Sequence, residues 1–437
     1  MRTTKIIKRL LNVNRVKIDD IYFVWDNTGE TCLIVRVDPY KADKGLCPKC
    51  GRRCPGYDQG TPNRRWRSLD ICTFKVYIEC PLPRIECPEH GVLAQAVSWA
   101  HQGSLFTKDF EVTVTWLTRE TTRIVVSYFM RINWRTVGNI IKRVYDDHCP
   151  PQEKMYDGLK RIGIDETSYK KGHKYLMVVV NHDTGKLVWA GKGKSEEALD
   201  VFFELLTQKH RDNIELVTAD AAQYIANCVS KWCSNAVRSM DPFHVVQWAT
   251  NALDAVRKRL WREELKRMTA KTKGKRGRPK KGEEKNTKDN PASTIKGLRY
   301  TILKNPENLT SNQSAALDML VKTNPELYRA YVLKEGLRLI FKLPVEEARE
   351  ALDVWRGKAW RSRIPEFVEL QRTIRTHKEQ ILKSIELGVS NARLEAINNK
   401  IKVTIRMGYG FRNMDNLIAL LMLKCSNISV RLPGRAS

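Results

Sequence analysis

Two near-copies of one short motif, Cys47-Pro-Lys-Cys50-Gly51 and Cys87-Pro-Glu-His90-Gly91, restrict what the N-terminal part of this chain can become. Each sets two soft or borderline ligands on a tight turn, and the trailing glycine admits positive φ, which lets backbone N–H groups point at sulfur. Cys47, Cys50, Cys87 and His90 together are the tetrahedral complement of one closed structural Zn2+ site, so the fold must bring the two turns together. Residues 66–70 and 74–78 between them read as strands, and Cys54, Cys72 and Cys80 remain alternatives for one ligand. Upstream, residues 21–25 and 32–37 alternate in strand fashion around the turn signal Asp26-Asn-Thr-Gly29, the pattern of a hairpin.

The chain has 11 cysteines, an odd number, and its basic N-terminus never builds the apolar stretch of a secretory signal. Clustered cysteines then read as metal ligands. Scattered ones (Cys149, Cys228, Cys233 and Cys425) read as small core residues in a reducing cytoplasm. No apolar run approaches the roughly 18 residues that span a bilayer, so a membrane role is not expected. Across 437 residues, 77 Lys and Arg against 49 Asp and Glu leave a net charge of +28. A surplus of that size needs an anionic partner, and nucleic acid is the commonest one.

Between residues 106 and 147 the periodicity is helical. Thr107 suits an N-cap for a helix carrying Phe110, Val114 and Leu117; a short segment, 121–128, follows; after the break Met130-Arg-Ile-Asn133 a last helix carries Ile140, Ile141 and Val144. Three helices with a tight turn between the last two suggest a helix-turn-helix offering Arg135, Asn139, Lys142 and Arg143 to DNA, with a plain three-helix packing domain as the alternative.

From Arg161 onward strands and helices alternate. Residues 162–165, 175–180 and 187–190 read as strands, Ser195 caps a helix with Leu199, Phe202 and Phe203, and a further strand, 214–217, runs into Thr218-Ala-Asp220. Three strands, a helix and a strand is the order of a ribonuclease-H-like fold. Residues 271–281, KTKGKRGRPKK, hold cations but no acid and cannot bury a core, so they are expected to be disordered until bound. Arg276-Gly-Arg278-Pro279 matches either an AT-hook laid into a narrow minor groove or a generic phosphate-binding linker. Residues 293–388 read as helical throughout.

Three acids stand out by context. Asp165 closes the first strand of the expected sheet, Asp220 sits just past a later one, and Glu395 lies in Ser390-Asn-Ala-Arg-Leu-Glu395-Ala-Ile-Asn-Asn-Lys400, with Ser390 as N-cap. On that helix Leu394, Ile397 and Ile401 form an apolar stripe, and Glu395, Asn398, Asn399, Lys402 and Arg406 gather on the other face. Carboxylates suit hard Mg2+, and two such ions can clamp both oxygens of an in-line phosphoryl displacement. Glu166 follows Asp165 directly; adjacent strand residues point to opposite faces, so the two acids cannot share one site while the strand continues.

The sequence resembles the transposases of the ISL3 group of bacterial insertion sequences over most of its length. CPKCG and CPEHG, Ile164-Asp-Glu-Thr167 with Gly172-His173 and Tyr175, Thr218-Ala-Asp220, Asp241-Pro-Phe-His-Val245, Ser390-Asn-Ala-Arg-Leu-Glu395 with Asn398 and Asn399, and Gly408-Tyr-Gly-Phe-Arg412 carry the likeness. The resemblance implies a DDE trio of Asp165, Asp220 and Glu395 holding two Mg2+ or Mn2+ ions, and a D-x-x-H signature at Asp241 and His244 that sets the histidine near the scissile phosphate. A helix-start Asp with a His packed beneath it is the other reading of that pair. It also implies a multidomain α/β chain: strands and a zinc module (1–104), a helix-turn-helix domain (105–150), and a ribonuclease-H-like core (158–256 and 389–437) interrupted by a helical insertion domain (257–388). In the insertion, Trp355 and Trp360 lie beside Arg356, Lys358 and Arg361 and either stack on an unpaired base or pack between helices. The activity implied is cleavage of double-stranded DNA at transposon ends and joining of the 3′-OH ends to target DNA. A homodimer or larger assembly in the bacterial cytoplasm, at the nucleoid, goes with it. The rivals are a nuclease that cuts without joining and an inactive zinc and helix-turn-helix regulator.

Overall fold

The computed structural model describes residues 3–170, 172, 174–272, 291–388 and 392–435. It divides into two units, Met1–Met155 with Lys400–Ser437, and Tyr156–Asn399.

In the first unit, β1 (Val16–Trp25) and β2 (Thr31–Pro39) form the expected hairpin. Asp26 holds its turn by accepting from the Thr28 and Glu30 backbone N–H groups at 2.9 and 3.0 Å. β3 (Gly56–Arg67) and β4 (Lys75–Cys87) are antiparallel, β4 runs parallel to β2, and β5 (Gly91–Ala94) folds back on the end of β4. The sheet strands therefore differ from the expected 66–70 and 74–78. The β3–β4 ladder runs from Gly56↔Ile85 to Arg67↔Tyr77, so the pairing lies mostly upstream of residue 66 on β3 and downstream of residue 78 on β4. Val35, Val76, Ile78 and Trp66 make the core on one side of this sheet, where Trp66 meets Trp99 edge-on at 5.6 Å.

Helices Lys108–Glu120, Arg123–Phe129 and Trp134–His148 follow, capped by the side chains of Thr107, Thr122 and Asn133. Each cap satisfies a backbone donor that the first turn leaves unpaired. Phe110, Val114, Val126, Ile140, Ile141 and Val144 are buried. The helix Met414–Cys425 packs against Trp134–His148.

In the second unit, β6 (Arg161–Lys170), β7 (Lys174–Asn181) and β8 (Lys186–Lys192) are antiparallel neighbours. The chain crosses through the helix Glu196–Glu204, capped by Ser195, to β9 (Leu216–Ala219), which pairs parallel with β6; a second crossover, Gln223–Trp232, leads to β10 (Val237–Met240), parallel to β9. The strand order is β10-β9-β6-β7-β8. The near-continuous apolar runs of β7 and β9 reflect burial on both faces. Beyond β10 stands the helix Pro242–Thr272, and helices between Pro291 and Leu387 pack on it around Leu253, Leu337, Leu352 and Phe367. Residues 293–388 are helical apart from short connections, as their pattern predicts. No described helix is long and apolar enough to cross a membrane.

A local expectation fails in the second unit as well. Asp165 does not close its strand: β6 runs on to Lys170, because its hairpin with β7 continues after its pairing with β9 has stopped at Gly163↔Thr218.

Candidate functional site

The two knuckles meet. Ligand atoms of Cys47, Cys50, Cys87 and His90 all lie within 4.8 Å of one another. Cys50 Sγ is 3.8 Å from Cys87 Sγ, and His90 Nδ1 is 3.7 Å from Cys47 Sγ and 3.5 Å from Cys87 Sγ. A tetrahedral ion with Zn–S of about 2.3 Å and Zn–N of about 2.0 Å requires separations of roughly 3.8 and 3.6 Å, so the donor set fits Zn2+. Gly51 (φ 71°) and Gly91 (φ 68°) take the positive φ the motif calls for. Burial alone would push the Cys87 thiol up, but N–H groups of Glu89 and His90 and the neighbouring thiols bring it down to about 7, toward the thiolate a metal requires. The alternatives drop out: Cys80 is buried in the sheet, its thiol pushed up to about 12, Cys72 is exposed, and Cys54 turns toward the Arg52 carbonyl at 3.5 Å.

The second site forms where the parallel strands of the other unit end. The register Gly163↔Thr218 places Asp165 and Asp220 level, each two residues beyond the last pair, and Met240↔Ala219 places Asp241 level with Asp220. Three adjacent strands thus deliver three acids to one edge of the sheet, the carboxyl edge where open α/β sheets bind ligands. Gly163 leaves room for the His182 ring, since a Cβ there would lie 2.8 Å from His182 Nε2. Asp220 is fixed from two sides: its Oδ1 accepts from the Ala222 N–H at 2.9 Å, and Arg238 donates to its carbonyl at 3.0 Å.

Asp165 accepts from the Glu166 N–H at 2.7 Å and from Asn398 Nδ2 at 2.6 Å. Burial pushes its carboxyl up, and the Glu166 N–H, His244 and Asn398 pull it back. His244 is raised chiefly by Asp241, whose Oδ2 is 3.2 Å from its Nδ1, and also by the charges of Asp165 and Asp220. The imidazole therefore sits in the field of all three acids. Glu395 is exposed on the helix Ala392–Met407, one turn before Asn398, and has no ion-pair partner among the described residues. Arg393 ties the start of that helix to the His182 and Asp183 carbonyls. Hard oxygen donors around the half-buried Asp165 carboxylate fit Mg2+ or Mn2+. Among the described residues, however, only the Cys/His set brings three or more ligand atoms within 4.8 Å.

Glu166 takes different partners. Its carboxylate accepts from the Tyr224 hydroxyl and pairs with Lys194, while Asp165 turns to Asn398. The alternation of a continuing strand accounts for the divergence. Burial raises Glu166, and the charges of Asp220 and Asp165 raise it further, so it lies close to the acidic edge.

Leu394, Ile397 and Ile401 are buried as their stripe predicts, but Asn398 is buried with them instead of standing on the polar face. Lys402 and Arg406 are exposed, on the part of the helix that belongs to the first unit. Arg135 and Asn139 are exposed on Trp134–His148, and Lys142 pairs with Asp146 one turn on. Arg143 is engaged inside the three helices, where its Nε donates to the wholly buried Glu111 at 2.8 Å. Trp355 is 4% exposed and donates Nε1 to the Leu333 carbonyl at 2.7 Å. It is a packing residue and cannot stack on a base. Trp360, at 56% exposure, can. His173, Ser390, Arg276 and Arg278 lie outside the described residues, as does all but the first two positions of 271–281.

Comparison with known proteins gives a consistent set of likenesses. Residues 162–421 match the profile of the ISL3 transposases, and residues 43–90 match that of the zinc-finger of transposase IS204/IS1001/IS1096/IS1165. The chain is 44% identical over 440 residues to the transposase for insertion sequence element IS1557 of Mycobacterium tuberculosis, covering 100% of this chain and 98% of the relative. It is 27% identical over 374 residues to the transposase for insertion sequence element IS1001 of Bordetella parapertussis, covering 85% and 86%.

Proposed function

Because the chain belongs to the ISL3 family of transposases, we propose that it is a DDE transposase that cuts DNA at the ends of its element and joins the 3′-OH ends to a target. The observation that carries this reading is the level placement of Asp165 and Asp220 at the carboxyl edge of a sheet ordered β10-β9-β6-β7-β8. That order, three antiparallel strands followed by parallel additions, supports a ribonuclease-H-like core over 158–256 and 389–437, with 257–388 as a helical insertion.

Asp165, Asp220 and Glu395 are the residues that would hold two Mg2+ or Mn2+ ions. Bound there, the ions would polarise the scissile phosphate and lower the pKa of the attacking water or 3′-OH. The chain's own contribution is positional. Arg238 fixes the Asp220 loop, Arg393 anchors the helix of Glu395, and Asp241 holds His244 beside the acids. An imidazole so placed is suited to contact a non-bridging phosphate oxygen as a donor.

The zinc module (1–104) and the helices of 105–150 are the parts proposed to recognise the terminal inverted repeats, the latter as a helix-turn-helix presenting Arg135, Asn139 and Lys142. The +28 charge supports binding to double-stranded DNA. Two ends must be held together, so the active form is a homodimer or larger.

Incubation with the element's own ends, with and without Mg2+, followed by sequencing of the products, tests the whole reading. Metal-dependent nicks at the ends and joined products are expected. Cutting without joining would leave a nuclease, and binding without metal-dependent cutting would leave a regulator.

A further inference from the structure

We propose that Asn398 is a positioning residue for metal binding: its side-chain amide orients the Asp165 carboxylate so that this carboxylate can take a hard divalent cation. The proposal rests on the assignment of Asp165 as a metal ligand made above. Three observations carry it. Asn398 Nδ2 donates to Asp165 Oδ2 at 2.6 Å across 233 positions of sequence, while the Glu166 N–H occupies Asp165 Oδ1. Both oxygens of the carboxylate are therefore held, and each keeps a lone pair for a cation. The residue is itself buried, at 7% exposure. The other end of its amide, Oδ1, is buried with no hydrogen-bond partner among the described residues.

The orphaned oxygen separates this reading from simple adhesion. A group whose task was only to fasten the helix Ala392–Met407 to β6 would engage both ends of its amide, whereas here only the donor end is engaged, and on Asp165. Fastening is also supplied elsewhere, because Arg393 grips two carbonyls one turn earlier. A neutral donor has a further merit beside Asp165, Asp220 and Asp241: it steadies one carboxylate without adding a charge that would compete with the cation. Partners of metal-binding carboxylates act in this way generally, and their loss weakens metal binding by about 10–100-fold.

The test measures Mn2+ binding to the full-length, zinc-loaded chain without DNA, by the electron paramagnetic resonance signal of free and bound Mn2+, alongside thermal melting. Asn398→Leu keeps the branching and the number of heavy atoms and removes both the donor and the orphaned oxygen. The expected result is Mn2+ affinity lower by about 10–100-fold in a variant that still melts cooperatively without metal. Should Asn398→Leu fail to fold, Asn398→Ala, which also lacks the donor, carries the same expectation for affinity with a smaller side chain. Parental Mn2+ affinity in a folded Asn398 variant would overturn the proposal. Asp165→Ala tests the underlying assignment separately, since parental affinity in that variant would remove the metal site itself and not merely its positioning residue.

Discussion

Glu111 and Arg143 form an ion pair inside the three helices of the first unit, with Glu111 wholly buried and also accepting from His101 Nδ1 at 2.7 Å and Ser104 Oγ at 2.8 Å. The pair binds the helix Trp134–His148 to Lys108–Glu120. Removing Arg143 leaves a buried carboxylate short of a partner, so Arg143→Ala should destabilise by about 3 kcal/mol. Denaturant unfolding measures it. If Arg143 were chiefly a DNA contact, the variant would keep its stability and lose affinity instead.

The same cluster predicts a pH window. The Glu111 carboxyl, which burial would raise, is held below its ordinary range by His101 and Arg143. Its stabilising contribution is present above the ordinary glutamate range and is lost as pH falls through the lowered folded value. His101 is raised, chiefly by Glu111. Its contribution is complete below the ordinary histidine value of about 6.5 and disappears as pH rises through the raised value. Stability of a fragment or chain carrying this cluster should therefore fall on both sides of a mildly acidic to neutral plateau. His101→Gln should flatten the alkaline side in melting curves taken against pH.

Metal analysis should return about one Zn2+ per chain. Cys47→Ser or His90→Ala should lose it and weaken binding to the element's ends before the core of the second unit melts, because folding of so small a module is coupled to its metal. Cys54→Ser should keep the zinc, since Cys54 lies outside the ligand set. A zinc-free chain with parental end binding would contradict the assignment.

The two tryptophans of the helix Val345–Arg361 should part company. Trp355→Ala removes a buried ring and its bond to the Leu333 carbonyl and should cost about 3–5 kcal/mol. Trp360→Ala should be nearly neutral for stability. If the exposed ring stacks on a base, its fluorescence should be quenched by single-stranded DNA in a Trp355-containing protein and not in Trp360→Ala.

Much of this was legible in the residues because local rules and the tertiary structure agree. Thr107 and Ser195 cap the helices their hydroxyls suit, the hairpin turns where Asp26 and Gly29 signal it, and Leu394, Ile397 and Ile401 face inward as their spacing requires. Both zinc knuckles carry their ligands within a few residues, so the set is visible before folding. What stayed hidden depends on long-range partners. Nothing near Arg143 announces Glu111, and nothing near Asp165 announces Asn398. The length of β6 beyond Asp165 is set by β7 after β9 has gone, and Trp355 is buried because the 325–340 helix covers it. Charge and aromatic character mark candidates for DNA contact, but only packing tells which of them are free.

Asp165, Asp220 and Glu395 are proposed to act as one metal-dependent catalytic set. The direct measurement is end cleavage and strand transfer by Asp165→Ala, Asp220→Ala and Glu395→Ala in Mg2+ and in Mn2+, with binding to the ends followed in parallel and Glu166→Gln as the comparison. Each of the three should lose cleavage and joining together while keeping end affinity, because that affinity comes from Lys and Arg contacts to phosphate. Glu166→Gln, which can still accept from Tyr224, should retain a measurable fraction of activity. An Asp165→Ala protein that still cuts, or a Glu166→Gln protein as inactive as the other three, would contradict the account.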